Sequence, residues 1–395
     1  MTREAVIVSA VRSAICRYKR GSFRDTHPVH YGGLVYREAV ARAKGLDPKE
    51  IDDVIVGCAM PEGELGMNLA RLVSFAAKIP FEASAITVNR FCASGLQAIS
   101  QGAERIMLGE AEVVVAGGVE DMTHVPMGGN KPVAYPRLVD EWIETYTPMG
   151  LTAENVAKQF NISRERQDQF ALRSHQRAVR AIDEGRFVSQ ILPIETEVFD
   201  AGPDGRPVAR KVTAKVDEGP RRDTTLEGLA KLKPAFDPQG TVTAGNASQM
   251  NDGAAAVVVM SREKAKSLGL KPLAVYRGYQ VAGTPPEIMG VGPAYAIPKL
   301  MKRAGLKTDD VAVWEINEAF ASQALYCAED ALHLDPEKVN PNGGAIALGH
   351  PLGCTGGFLT NKLLYELERS KGRYGVVSMC IGGGMGAAGL FEREG

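Results

Sequence analysis

Ile-Thr-Val-Asn-Arg-Phe-Cys-Ala-Ser-Gly-Leu (residues 86–96) runs from a β-branched stretch, through a cysteine, into small residues. Ile86–Asn89 reads as a strand and Ser94–Leu108 as a helix, stopped by Gly109. Glu112–Ala116 reads as the next strand, running into Gly117-Gly118. This strand–helix–strand order places the chain in the α/β class, with a mixed or mainly parallel sheet. Upstream, Ala5–Val11 and Asp53–Gly57 are further apolar strands, and Gly32–Lys44 and Asn68–Ala77 have helical spacing.

The C-terminal part repeats the plan. Ala274–Val281, Val311–Ile316 and Tyr374–Met379 read as strands; Ala296–Ala304, Ala319–Ala331 and Gly356–Glu368 read as helices. His350 precedes a helix and then the Val376-Val377 strand, as Cys92 precedes a helix and then Val113–Val115. Two similar βαβ-rich halves follow, each giving a catalytic loop. Between 121 and 250 Pro, Gly and charge become common, with helical patterns at Ala153–Phe160 and Arg164–Glu184. That stretch reads as an inserted loop domain, after which Ala254–Met260 resumes the strand pattern.

A chain of 395 residues is long enough for more than one domain. Its 46 basic and 47 acidic residues balance, which argues against nucleic acid or an anionic membrane as partner. The six cysteines have no Cys-x-x-Cys spacing and read as reduced thiols in a cytoplasmic setting. No signal peptide, transit peptide or membrane span is expected.

Four short motifs carry chemistry. Cys92 lies just before a helix, whose free N–H groups and partial positive charge favour a thiolate. Taken alone it reads equally as a buried apolar cysteine. His350, between Gly349 and Pro351 in a glycine-dense loop, is the natural base for a thiol at neutral pH. That loop lacks the Gly-Lys-Ser/Thr ending of a P-loop and the dinucleotide Gly-x-Gly-x-x-Gly. Cys380 opens Cys-Ile-Gly-Gly-Gly-Met-Gly (380–386), where backbone N–H groups near Gly382 suit an oxyanion hole or simply a tight turn. Asn317, in Asn-Glu-Ala-Phe (317–320), ends an apolar strand; on its own it reads as a helix N-cap.

Together, Cys92-Ala-Ser, Asn317-Glu-Ala-Phe, Gly349-His350-Pro351 and Cys380-Ile-Gly resemble the four catalytic loops of the thiolases, acyl-CoA C-acyltransferases, in the same order. The likeness runs over essentially the whole chain. It implies the thiolase fold: two similar halves stacked in α-β-α-β-α layers. Residues 1–120 and 251–270 would form the first half, 121–250 the insert that binds coenzyme A and substrate, and 271–395 the second half. It implies that Cys92 is the nucleophile and carries the acyl group, that His350 takes its proton, and that Cys380 moves the second proton at carbon. Backbone N–H groups at Cys92 and Gly382 would hold one oxyanion; His350 and a water on Asn317 would hold the other. No metal and no bound cofactor are implied; coenzyme A is a co-substrate. Ser248 matches a position contacting pantetheine, Arg221 a basic residue near the nucleotide, and Met149 and Phe236 pocket-lining positions. On their own, Arg221 reads as a solvated charge and Phe236 as core.

Gly117–Met127, Gly353-Cys354-Thr355, Pro148 and the Phe-Glu-Arg ending resemble the 3-ketoacyl-CoA thiolases of fatty-acid β-oxidation. The alternative is an acetoacetyl-CoA-specific acetyltransferase, because Cys92-Ala-Ser-Gly-Leu is common there too. A condensing enzyme of the ketoacyl-synthase type and an inactive acyl-CoA-binding relative fit less well. The resemblance further implies a homodimer or homotetramer, with a hydratase–dehydrogenase as a further partner. Cys16 stands where relatives commonly carry Gly and is expected to alter packing only.

Overall fold

The computed structural model describes residues 3–394. Its strands are β1 (Ala5–Arg12), β2 (Cys16–Arg17), β3 (Asp53–Gly57), β4 (Ser84–Val88), β5 (Val113–Asp121), β6 (Ile194–Ala201), β7 (Pro207–Ala214), β8 (Asn251–Ser261), β9 (Ala274–Gly283), β10 (Val311–Ile316), β11 (Tyr374–Ile381) and β12 (Met385–Glu392). The main path runs β10-β11-β12-β9-β1-β8-β5-β3-β4, with β2 added on β8. The sheet is mixed: β3–β4, β3–β5 and β10–β11 are parallel and the other pairs antiparallel. Only two residue pairs, Val6–Val275 and Ile7–Ala274, join β1 to β9 and so link the two halves.

β5 and β8 are buried along their whole length, which is why they read as apolar runs without alternation. The Pro28–Arg42 and Leu69–Ala76 helices cover the outer face of the first half, and the Gly292–Ala304 helix covers that of the second. Between the half-sheets lie the Ser94–Met107 and Thr355–Ser370 helices, packed on each other. The five layers expected from the resemblance are therefore present.

The sequence reading missed two features. β12 closes the second half on β9 and β11, and β6–β7 is a separate exposed hairpin within 194–214. It also ran Ala319–Ala331 together as one helix. Phe320 instead bridges Ala247 in extended conformation, an α-helix spans Ala321–Leu325, and a π-turn follows at Tyr326–Ala331. The insert is tied to the body by Arg12, whose guanidinium donates to both Asp217 oxygens (2.7 and 2.8 Å), with both side chains fully buried. Removing either partner leaves a buried unpaired charge, a loss of about 3–5 kcal/mol.

The two inner helices meet start to start. A Cβ on Gly356 would stand 2.1 Å from the Leu96 nitrogen, and one on Gly95 would stand 2.7 Å from the Gly357 nitrogen. Only glycine permits that approach. In an open helix Gly→Ala stabilises by about 1 kcal/mol. Here Gly356→Ala should instead destabilise, by about 1–3 kcal/mol or more, because the obstacle is backbone. Gly283→Ala, with nothing within 4 Å, should stay within about 0.5 kcal/mol of the parent in denaturant unfolding.

Candidate active site

Cys92 sits on a strained turn between β4 and the Ser94–Met107 helix. Phe91 has φ +43°, rare for an aromatic residue. The turn is held by Asn89, whose Oδ1 accepts from the Phe91 N–H at 2.8 Å, and by Ser94, whose Oγ accepts from the Arg90 N–H at 2.8 Å. Cys92 is buried against Ala59, Met122 and Leu352. Burial pushes its thiol up to about 12, while the N–H groups of Gly382 and Cys92 itself pull the other way. Those N–H groups are the two expected to hold an oxyanion.

Cys380, near the end of β11, is fully buried, and its strand packs against the Cys92 turn. Burial raises its thiol well above the ordinary range, and the neighbouring Cys92 and Cys327 raise it further. After Ile381, Gly383 and Gly384 take φ +81° and +83° and turn the chain into β12. The tight-turn reading of this glycine run thus holds together with the proximity of Gly382 N–H to Cys92.

His350 is buried, and burial lowers its pKa to about 4, so the ring is neutral at pH 7. Its Nδ1 lies 2.6 Å from Thr355 Oγ1, and that hydroxyl donates to the Pro351 carbonyl at 3.0 Å. The hydroxyl therefore accepts from Nδ1–H, which leaves Nε2 unprotonated and its lone pair an acceptor. Asn317 Nδ2 faces Nε2 at 3.3 Å. Asn317 is not a helix N-cap, since the next helix begins at Ala321 after Phe320. Its Oδ1 is buried without a protein partner, as suits a side chain that holds a water. The turn after His350 (Leu352–Cys354) packs on the Cys92 turn, so Cys92, Cys380 and the His350–Asn317 pair converge.

Met149 and Phe236 flank this centre. A Cβ on Gly382 would stand 3.4 Å from Met149 Sδ, and Phe236 lies edge-on to Phe320 at 6.0 Å. Phe236 is 45% exposed, so it is not core. Ser248 donates its N–H to Ala319 O at 2.9 Å, beside the Asn317 loop. Arg221 lies farther out. It lines a cavity of about 260 Å³ that also touches Gln249, and an adjoining one of about 360 Å³.

Three supporting residues escaped the sequence reading. Thr355 fixes the imidazole tautomer. Asn251 Oδ1 accepts from the His350 N–H at 3.1 Å, while its Nδ2 donates to Cys16 O at 2.9 Å. Cys16 thus reaches the His350 turn through its backbone carbonyl. Buried Glu318 accepts from Ser174 Oγ (2.6 Å) and Asn340 Nδ2 (2.9 Å) and ties the Asn317 strand end to the 340–346 loop. A polar pair opening an apolar strand, Asn251-Asp252, was the one available signal.

The chain matches "Thiolase, N-terminal domain" over residues 5–263 and "Thiolase, C-terminal domain" over 270–393. It is 51% identical to a 3-ketoacyl-CoA thiolase of Bacillus subtilis (strain 168), covering 99% of both chains. It is 49% identical to the peroxisomal 3-ketoacyl-CoA thiolase of Homo sapiens, covering 99% of this chain and 91% of that one. The solved Bacillus anthracis acetyl-CoA acetyltransferase superposes with TM-score 0.89 at 43% identity, covering 100% of this chain and 99% of that one.

Burial opposes charge on both Cys92 and His350, so the resting pair is thiol and neutral imidazole. Far below the thiol pKa, the thiolate fraction grows about tenfold per pH unit. Alkylation of Cys92 by iodoacetamide should therefore climb from pH 7 to 9 without levelling. A plateau below pH 8 would reveal a preformed thiolate–imidazolium pair instead.

Proposed function

The chain belongs to the thiolase family, and on that premise we propose that it cleaves 3-ketoacyl-CoA with coenzyme A to give acyl-CoA and acetyl-CoA. The observation that carries this reading is the convergence of two buried thiols with a neutral histidine–asparagine pair. His350 Nε2 takes the Cys92 proton as sulfur attacks the keto carbon. The C2–C3 bond then breaks, leaving the acyl group on Cys92 and an enolate on the departing acetyl-CoA. Cys380 gives its proton to the enolate carbon. Free coenzyme A next attacks the Cys92 thioester, its thiol proton passes to Cys380, and the departing Cys92 sulfur takes back the proton held by His350, so both enzyme thiols are restored. In the reverse direction Cys380 removes the α-proton of acetyl-CoA.

The N–H groups of Cys92 and Gly382 hold the oxygen of the Cys92-bound carbonyl. His350, with water on Asn317, holds the enolate oxygen. Losing one such donor commonly costs about 3–4 kcal/mol of transition-state stabilisation. Ser248, Met149 and Phe236 form the pantetheine channel, and Arg221 meets the nucleotide at its outer end. Six unpaired cysteines suit a reducing, cytoplasmic compartment. Among the described residues β4 pairs only with β3, and Ile86 on it and Phe81 just before it are exposed, which supports a homodimer through that edge.

A role in β-oxidation is favoured because the relatives near 50% identity are named 3-ketoacyl-CoA thiolases, whereas the acetyltransferase neighbour stands at 43%. Thiolysis rates with acetoacetyl-CoA and with longer 3-ketoacyl-CoAs test this. Comparable or higher kcat/KM on the longer chains is expected; strict preference for acetoacetyl-CoA would overturn the degradative reading.

A further inference from the structure

Glu120, in β5, is fully buried and has no ion-pair partner among the described residues. Its carboxylate is nevertheless well bonded. Oε2 accepts from the Ala59 N–H at 2.7 Å and the Gly353 N–H at 2.6 Å; Oε1 accepts from the Met60 N–H at 3.2 Å and faces Cys58 Sγ at 3.8 Å. These donors belong to two turns that serve different reactive groups. Ala59 packs on Cys92, and its carbonyl accepts from Asn89 Nδ2 at 3.0 Å, so it belongs to the nucleophile turn. Gly353 lies between His350 and the Thr355 that holds its ring.

A continuous path therefore runs from Asn89 through Ala59, Glu120 and Gly353 to the His350 turn. We propose that Glu120 is a positioning residue for the reaction: its carboxylate fixes the separation of the Cys92 and His350 turns. Burial raises Glu120 to about 7, the three N–H groups lower it, and Asp121 raises it. Its charge in turn disfavours the Cys92 and Cys354 thiolates. A buried carboxylate is costly to desolvate unless its oxygens keep such donors. An amide in its place would turn an NH₂ toward at least one N–H donor. Misplacing reacting groups by about 1 Å is enough to lose about a hundredfold in rate.

Two substitutions separate reach from charge. Glu120→Gln keeps the length and removes the charge; Glu120→Asp keeps the charge and shortens the reach. Turnover and iodoacetamide alkylation of Cys92 are measured at pH 8.5 on protein that circular dichroism shows folded. Both variants should lose at least tenfold in kcat, with KM for coenzyme A within twofold of the parent. Alkylation should quicken at least threefold in Glu120→Gln and stay within twofold in Glu120→Asp. Either folded variant retaining kcat within twofold would overturn the proposal, as would equal quickening of alkylation in both, the mark of a merely loosened pocket. If Glu120→Gln does not fold, the kcat and alkylation of Glu120→Asp decide alone. The proposal rests on the roles given above to Cys92 and His350. Those roles fail separately if alkylating Cys92 in the parent leaves turnover intact.

Discussion

The active site depends on two helix starts being pressed together at backbone distance. The Ser94–Met107 helix carries Cys92 before its first turn, and the Thr355–Ser370 helix carries Thr355 and, just upstream, His350. Gly95 and Gly356 leave no side chain between them. A Cβ at either position would meet the backbone of the opposing helix start and push the nucleophile and its base apart. The stacked half-sheets then serve to hold two helices face to face, and the reactive groups lie at the loop ends that this contact brings together.

Burial is the second constraint. Cys92, Cys380 and His350 are all buried, and in each burial favours the neutral form. The resting site is thus a set of neutral groups rather than a charged pair. A fixed means of stabilising negative charge at Cys92 is backbone: the Cys92 and Gly382 N–H groups. Preorganised dipoles of this kind act on charge that forms during reaction and need no reorganisation when it does. Two thiols of like type acquire different tasks from position alone. Cys92 stands at a helix start beneath an oxyanion site, whereas Cys380 stands within a strand beside Met149 and Phe320.

Much of this was legible from the chain. The valine-rich strands β3, β5 and β10 declared themselves because both faces are buried. β12 did not, because Met-Gly-Ala-Ala-Gly-Leu has little strand propensity and owes its conformation to pairing on both sides. The β6–β7 hairpin was hidden by charge, being mostly exposed. In the site, the four reactive motifs were readable jointly, although Cys92 and Asn317 each had a bland alternative. Their supports were not, because their partners are remote in sequence: Glu318 bonds Ser174, and Asn251 bonds the His350 N–H. No local pattern reports such a pair.

The central claim is that Cys92 carries the acyl group and Cys380 carries the proton at carbon. The most direct test is to incubate the Cys380→Ser protein with acetyl-CoA in D₂O, following the mass of the Cys92 peptide and deuterium entry at the acetyl methyl group. The account predicts that acetyl-Cys92 accumulates while deuterium exchange falls at least a hundredfold below the parent. Exchange at the parental rate, or failure of Cys92 to acetylate in a folded protein, would contradict it.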